Sequence, residues 1–316
     1  MPKKLIIIAV SLLALGLILF AVVMSIYGWD FRRLSGAEFD TNEYTIAEEF
    51  KSISINTATA NIKLLPTDGK CRVVCYESDR LYHNVTNENG TLKIEEVDAR
   101  KWYNYLWGFG NNTVTVYLPR GEYSALNIDA STSNIVIARD ASFDTIDISL
   151  STGDVECYAS AKGAINIHAS TGDISVKGLS ALSLDLKTST GEIEIEDVIC
   201  LDDIKIQVST GDSELESVSC NSLISSGSTG DLDLEGVIAK ERYSITRSTG
   251  DIRLKSCDAK EIFIETDTGD VFGTLLSDKI FFVSAGTGDV DVPKTTTGGI
   301  CEITTDTGDV KIDVKS

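Results

Sequence analysis

A chain of 316 residues with 28 Lys and Arg against 48 Asp and Glu carries a formal net charge of −20, and 42% of it is apolar. That is enough apolar material for a sizeable core. The acidic excess argues against a nucleic-acid partner, because a polyanion is bound by neutralising it with Lys and Arg.

The first element is an uncharged apolar run from Leu5 to Ile26, preceded by Lys3 and Lys4 and followed by Tyr27, Trp29, Arg32 and Arg33. As a helix it would cross a hydrocarbon core of about 30 Å. A cleaved signal peptide has a shorter apolar region that ends in small residues. Val22-Val23-Met24 offers no such site, and no Cys occurs in the first 50 residues to accept a lipid. Residues 1–29 therefore read as a cytoplasmic tip and signal anchor, touching the lipid bilayer through residues 5–26. The basic start places the N-terminus inside and the remainder outside the cell membrane.

Residues 30–44 read as a linker and residues 45–130 as an irregular β capping region. ATANIKL at 58–64 has the form of an early coil, and CRVVCYE, TLKIEEV and TVTVYLP have the form of longer strands. They are interrupted by LYHNVTNENG and KWYNYLWGFGNN. The second of these gathers Trp102, Tyr103, Tyr105, Trp107 and Phe109. Such a segment either folds as a flap over the neighbouring coils or presents rings to a sugar, a protein or the bilayer interface. These five residues are the expected partner contacts.

From residue 131 to the end one turn recurs. Thr-Gly followed by Asp or Glu places its glycine at Gly153, Gly172, Gly191, Gly211, Gly230, Gly250, Gly269, Gly288 and Gly308. Ser133 holds the glycine place in a degenerate earlier copy. The second and fourth residues after each glycine are mostly apolar, as in Ile174 and Val176, and so are the seventh and fifth before it, as in Ile165 and Ile167. Alternation at period two means two strands per repeat, each with one buried face. A further apolar column stands seven after the glycine, at Leu179, Val198, Val218, Val237, Cys257 and Leu276. So short a unit cannot bury its inner face alone, but stacked neighbours can. The expected fold is an all-β solenoid, a β-helix with right-handed coils, following one transmembrane helix. Gly at the turn permits positive φ. The last coil is expected to leave a strand edge open.

The acidic column of the turn, which includes Asp212, Asp231, Asp251 and Asp270, stacks carboxylates about 4.8 Å apart, where neighbours repel by roughly 1 kcal/mol in water. Either turn N–H groups and monovalent ions offset this, or oxygens of adjacent coils bind Ca²⁺. The glycine-rich nonapeptide of calcium-binding β-rolls is absent, so no cofactor is expected apart from that candidate Ca²⁺. Cys71 and Cys75, four apart on a strand, are too far apart to join. Cys200 and Cys220 fall one above the other, either bridged or as packed thiols. With no C-x-x-C spacing and two histidines, zinc is not expected.

Enzyme signatures such as G-x-S-x-G, the P-loop and H-E-x-x-H do not occur. Short, uniform bends leave little to build a groove, and Lys205, Arg253 and Lys255 read as outward charges that relieve acidic repulsion. An N-terminal membrane segment, a strand region ending in VTVYLPRGEYSALNI and iterated STGDI-x-I coils together resemble a bacterial adhesin-like family of unknown function with β-strand repeats, over roughly residues 45–316. The resemblance implies a membrane-anchored, surface-displayed solenoid and brings no catalytic residues. The expected function is non-enzymatic binding of envelope polymer, glycan or protein. The alternative is an envelope-sensing, regulatory partner of another membrane protein, and the third reading is a carbohydrate-active β-helix enzyme.

Overall fold

The computed structural model describes residues 2–26, 28–29, 38–100 and 112–315. The apolar run forms helix α1 (Pro2–Ile26). From Lys4 to Ile26 it is long and apolar enough to cross a membrane, with a mean hydropathy of 3.1. Its side chains from Leu5 to Val23 are exposed. A helix satisfies its own backbone groups, which is what an element in lipid must do.

Everything described from Phe39 onward is strand and turn. The cap region supplies β1 (Phe39–Thr45), β2 (Ser52–Thr57), β3 (Asn61–Thr67), β4 (Arg72–Ser78), β5 (Leu81–Glu88), β6 (Thr91–Asp98) and β7 (Thr113–Pro119), and β8 (Gly121–Thr132) with β9 (Ile135–Ile137) begins the regular coils. In those coils like residues stack in register on parallel strands. Ile146, Ile165, Leu184, Ile204, Leu223, Tyr243 and Ile262 form one column. Val155, Ile174, Ile193, Ser213, Leu232, Ile252 and Val271 form another. Both columns are buried throughout. Each large aliphatic side chain in them contributes about 1.5–3 kcal/mol of transfer free energy, so the core is a continuous cylinder that no single coil could close.

The third column holds at Leu179, Val198, Val218, Val237 and Cys257, all buried, but Leu276 is 43% exposed and Leu275 takes its place. The cause is a turn that the glycine motif does not reveal. Six residues after the glycine, Gly178, Asp197, Ser217, Gly236 and Ser256 all have φ between 53° and 61°. Such left-handed residues swing the chain into the third side. The coil after Gly269 lacks this turn, its strand Val271–Leu275 runs straight through, and the register slips so that Cys257 pairs with Leu275.

Coils at both ends stack out of sequence order. At the N-terminal end, β2 lies between β6 and β8, and β3 between β7 and β9. The outer rung of β6 and β7 is then closed by antiparallel strands, with β5 on β6, β4 on β7 and β1 on β4. At the other end, strand Gly299–Thr307 inserts between the later part of Ile252–Thr268 and Lys279–Thr287. Val310–Val314 likewise inserts between Val271–Leu275 and Val290–Asp291. The open edge therefore belongs to residues 279–291 and not to the last coil, contrary to the sequence expectation. Val290, which stands in an inward column, is accordingly 47% exposed there.

Candidate functional site

The turn column explains itself sterically. Gly230 has φ +133°, and a Cβ on it would lie 2.1 Å from the carbonyl oxygen of Gly211. The same approach of about 2 Å recurs from Gly153 on Ser133 through Gly172, Gly191, Gly211, Gly250 and Gly269, and then from Gly308 on Gly269 and Gly288 on Gly308. Glycine is thus required for coil-to-coil approach as well as for its positive φ.

The acidic column is a hydrogen-bonded ladder. Where the coil beneath carries Asp, the backbone N–H donates to its side-chain Oδ1: Asp173 to Asp154 at 3.0 Å, Glu192 to Asp173 at 2.8 Å, Asp231 to Asp212 at 2.8 Å, Asp251 to Asp231 at 2.9 Å and Asp270 to Asp251 at 3.0 Å. Asn134 serves Asp154 in the same way at 3.1 Å, so the acceptor oxygen matters more than the charge. Arg253 crosses the upper part, 2.7 Å from Asp231, 3.2 Å from Asp233 and 3.1 Å from Asp251. Desolvation would raise the Asp231 carboxyl, but the Asp251 N–H and Arg253 bring it below its ordinary value. Glu192 has no such cation and is held above the ordinary value by desolvation and then by Glu214, Asp173, Glu194 and Asp212. Lys205 and Lys255 sit beside Asp185 and Glu235 as the sequence suggested. The four residues singled out for Ca²⁺, Asp212, Asp231, Asp251 and Asp270, thus share one face of the rod and spend Oδ1 on the next coil.

The five aromatic residues expected to contact partners, Trp102, Tyr103, Tyr105, Trp107 and Phe109, lie outside the described residues. Their segment joins β6 to β7 in the outer rung of the cap. Beside the cap a cleft of about 670 Å³ is lined by Ile46, Phe50, Lys51, Lys70, Glu122 and Tyr123, among others. The rings of Phe50 and Tyr123 stack at 5.8 Å. Tyr123 is anchored by its hydroxyl, which donates to the Pro119 carbonyl at 2.7 Å.

Under β1 the cap buries a polar network that the sequence reading missed. On β4, Val73, Cys75 and Glu77 share the inward face, and on β5 so do Leu81 and His83. Glu77 and His83 are each 1% exposed. Glu77 Oε2 lies 2.9 Å from His83 Nδ1 and accepts the His83 backbone N–H at 2.7 Å, and Asn42 Nδ2 donates to Oε1 at 2.8 Å. On the other side of the ring, Nε2 lies 3.1 Å from Thr57 Oγ1, which donates to Glu96 Oε2 at 2.7 Å. Burial would raise the Glu77 carboxyl, but its bonds to His83 and Asn42 hold it below the usual range. Cys75 belongs to the same cluster. Its Sγ, a Glu77 oxygen and a His83 nitrogen all lie within 4.8 Å of one another, and among the described residues this is the trio of His, Cys, Asp or Glu so placed. Period-two alternation was the available signal, since it sets a carboxylate and an imidazole on faces that otherwise carry Val73, Leu81 and their neighbours.

All seven cysteines are free and buried. Of the two readings for Cys200 and Cys220, packed thiols is the one observed, with Cys200 Sγ 3.3 Å from the Leu182 carbonyl. Burial, followed by the Glu77 charge, pushes the Cys75 thiol up to about 12. Deeper in the rod Arg247, 2% exposed, reaches Ser225 Oγ at 2.9 Å and Ser213 Oγ at 3.5 Å. Both serines stand where neighbouring coils carry Ile or Leu. Burial lowers this guanidinium to about 10.

The model of the Toastrack DUF4097 family matches residues 50–200 and again residues 183–316. No curated protein matches the sequence. Among solved structures, a candidate adhesin from Bacteroides fragilis NCTC 9343 aligns with a TM-score of 0.37 and 14% identity, covering 87% of this chain and 97% of that one. A candidate adhesin from Parabacteroides merdae ATCC 43184 aligns with 0.40 and 13%, covering 87% and 96%. A candidate lipid-binding protein from Parabacteroides distasonis ATCC 8503 aligns with 0.43 and 17%, covering 75% and 94%.

Proposed function

This chain belongs to the Toastrack DUF4097 family, and we propose that it is a single-pass membrane protein whose acidic solenoid stands outside the cell membrane and binds an envelope polymer, glycan or protein without catalysing a reaction. The observation that carries the reading is the division of the molecule. One strongly apolar helix is exposed from Leu5 to Val23, and it leads into a rod whose own apolar side chains are stacked inside. An element that exposes large apolar side chains needs lipid, whereas the rod presents water with charged strands and short turns.

The buried Glu77, His83 and Thr57 series has the residue types of a proton relay, but Thr57 is 2% exposed and its hydroxyl is given to Glu96. A nucleophile must reach its substrate, so this series supports a structural role. A partner would bind through the aromatic segment at 102–109 or through the cleft with Phe50 and Tyr123.

Co-sedimentation of the full-length chain, in detergent micelles, with purified cell-wall and surface-glycan preparations tests this, run with Ca²⁺ or with chelator. A variant lacking residues 101–110 runs alongside. Saturable binding that this deletion abolishes is the expected result, and its Ca²⁺ dependence would report on Asp212, Asp231, Asp251 and Asp270. Failure to bind in every condition would sink the reading in favour of a membrane-protein partner.

A further inference from the structure

We propose that Cys75, Glu77 and His83 bind a zinc ion inside the membrane-proximal cap. Thiolate, carboxylate and imidazole are the donor types zinc takes, and here one of each converges within 4.8 Å in the protein interior.

The hydrogen bonds around the trio leave a place for a cation. The Thr57 hydroxyl gives its proton to Glu96 Oε2 at 2.7 Å, so towards His83 it can only accept. His83 Nε2 must then carry a hydrogen on that side. In the neutral ring Nδ1 is left with a lone pair, and it faces Glu77 Oε2 at 2.9 Å. With that tautomer the two acceptors need a positive centre between them, either a proton that makes the pair imidazolium and carboxylate or a metal ion. Cys75 Sγ completes a set that suits a metal ion better than a bare proton, because a buried thiol has no part in a proton bridge.

The surroundings are those of an oriented metal site. A ligating histidine usually donates its second ring N–H to a carboxylate, a backbone carbonyl or water; here the Thr57 hydroxyl, itself bonded to Glu96, takes that place. Glu96 is itself fixed by the Ala58 and Thr59 N–H groups at 3.0 and 3.2 Å. Asn42 holds the far oxygen of Glu77. Asn42 and Tyr44 both come from β1, which closes over the trio as the first strand after the helix, with the Tyr44 hydroxyl 3.4 Å from the His83 carbonyl. Zinc would then tie β4 to β5 beneath the strand that connects the rod to its anchor. As the ligands are sealed, the ion would enter as the cap folds.

The test uses the full-length chain, without a polyhistidine tag, in detergent micelles. Elemental analysis after dialysis against chelator at neutral pH should return one zinc per chain. Refolding with Co²⁺ should give the thiolate-to-cobalt charge-transfer absorption and intense d–d bands of a low-coordinate site. Cys75→Ser should lose both, while Cys71→Ser, just before the same strand and outside the trio, should keep both. Thr57→Val, which removes the support of the imidazole while leaving all three ligands in place, should weaken binding about 10–100-fold. If Cys75→Ser does not fold, the cobalt spectrum of the parent chain and its weakening in Thr57→Val decide instead. A folded parent chain without stoichiometric zinc or the thiolate band, or metal content unchanged in Cys75→Ser, would overturn the proposal and leave a proton between Glu77 and His83.

Discussion

Gly230→Ala puts the coil-to-coil contact under direct strain. The new Cβ would stand 2.1 Å from the Gly211 oxygen, 2.5 Å from its carbonyl carbon and 3.0 Å from Asp212 Oδ1, on a backbone with φ +133°. Forcing an L-residue into that region costs about 1–3 kcal/mol. The clash adds to it, because both partners are rigid backbone and the coils can separate only by loosening flanking bonds. Those are Asp231 N–H to Asp212 at 2.8 Å and Gly211 N–H to the Thr229 carbonyl at 2.9 Å, worth about 0.5–1.5 kcal/mol each. A total loss of at least about 2 kcal/mol corresponds to a fall in Tm of at least roughly 4–8 °C for a folded region of this size. Circular dichroism melting of the full-length chain measures it. Gly69→Ala is the control, since its Cβ meets nothing closer than Thr67 Oγ1 at 3.5 Å. If Gly230→Ala melts within about 1 °C of the parent, like an ordinary surface substitution, the steric account of the ladder is wrong.

Other expectations follow from single environments. Replacing the buried polar group of the core by the aliphatic residues of its own columns, as Ser213→Val, Ser225→Ile and Arg247→Leu together, removes a desolvated cation and should raise stability by about 1–4 kcal/mol; a lower Tm in thermal melting would contradict this. Thiol titration should find close to none of the seven cysteines reactive in the native chain and all seven after unfolding, whereas a bridge between Cys200 and Cys220 would leave five. For pH, Glu192 has a raised folded value, so its charge penalises the fold as pH rises from 4.5 through that value. Glu192→Gln should therefore stabilise the protein at neutral pH and make no difference below about 4.5. Asp231 runs the other way. Its lowered folded value contributes stability above 3.8 that is lost on acidification, and Asp231→Asn should cost a few tenths of a kcal/mol at neutral pH, at most about 1 for so exposed a pair. Urea melts across pH 3 to 7 would separate the two.

The columns were legible because burial on a strand leaves a period of two, and a solenoid copies it once per coil. Ile165 and Ile167 are sufficient to place Leu184 and Leu186 above them. The second turn was not legible, because Asp197, Ser217 and Ser256 share no residue type with Gly178 and Gly236. What they share is a left-handed φ, which glycine reaches freely and other residues, short polar ones included, reach only occasionally. Cys75, Glu77 and His83 escaped for a different reason. They lie on two strands of an antiparallel end, Cys75 and Glu77 on β4 and His83 on β5, where no repeat supplies a second copy of the pattern. The face they occupy is nevertheless visible from Val73 and Leu81.

Stacking order is the part of the fold that the repeat itself conceals. Every coil offers its neighbours the same Gly, the same N–H and the same apolar columns, so Gly308 sits on Gly269 as well as Gly250 sits on Gly230, each with its Cβ position about 2.1 Å from the carbonyl oxygen beneath. Adjacency then depends on the connections. The chain leaves Leu275 without the left-handed residue that turns other coils, and it resumes at Lys279 one level too far out. The gap is filled by residues 299–314, whose Asp309 N–H donates to Asp270 at 2.8 Å and whose Asp309 Oδ1 accepts from Asp289 at 2.8 Å. The insertion of residues 299–314 thus decides which strand ends the rod, and it leaves residues 279–291, with Phe282 58% exposed, as the edge at which the acidic ladder meets solvent.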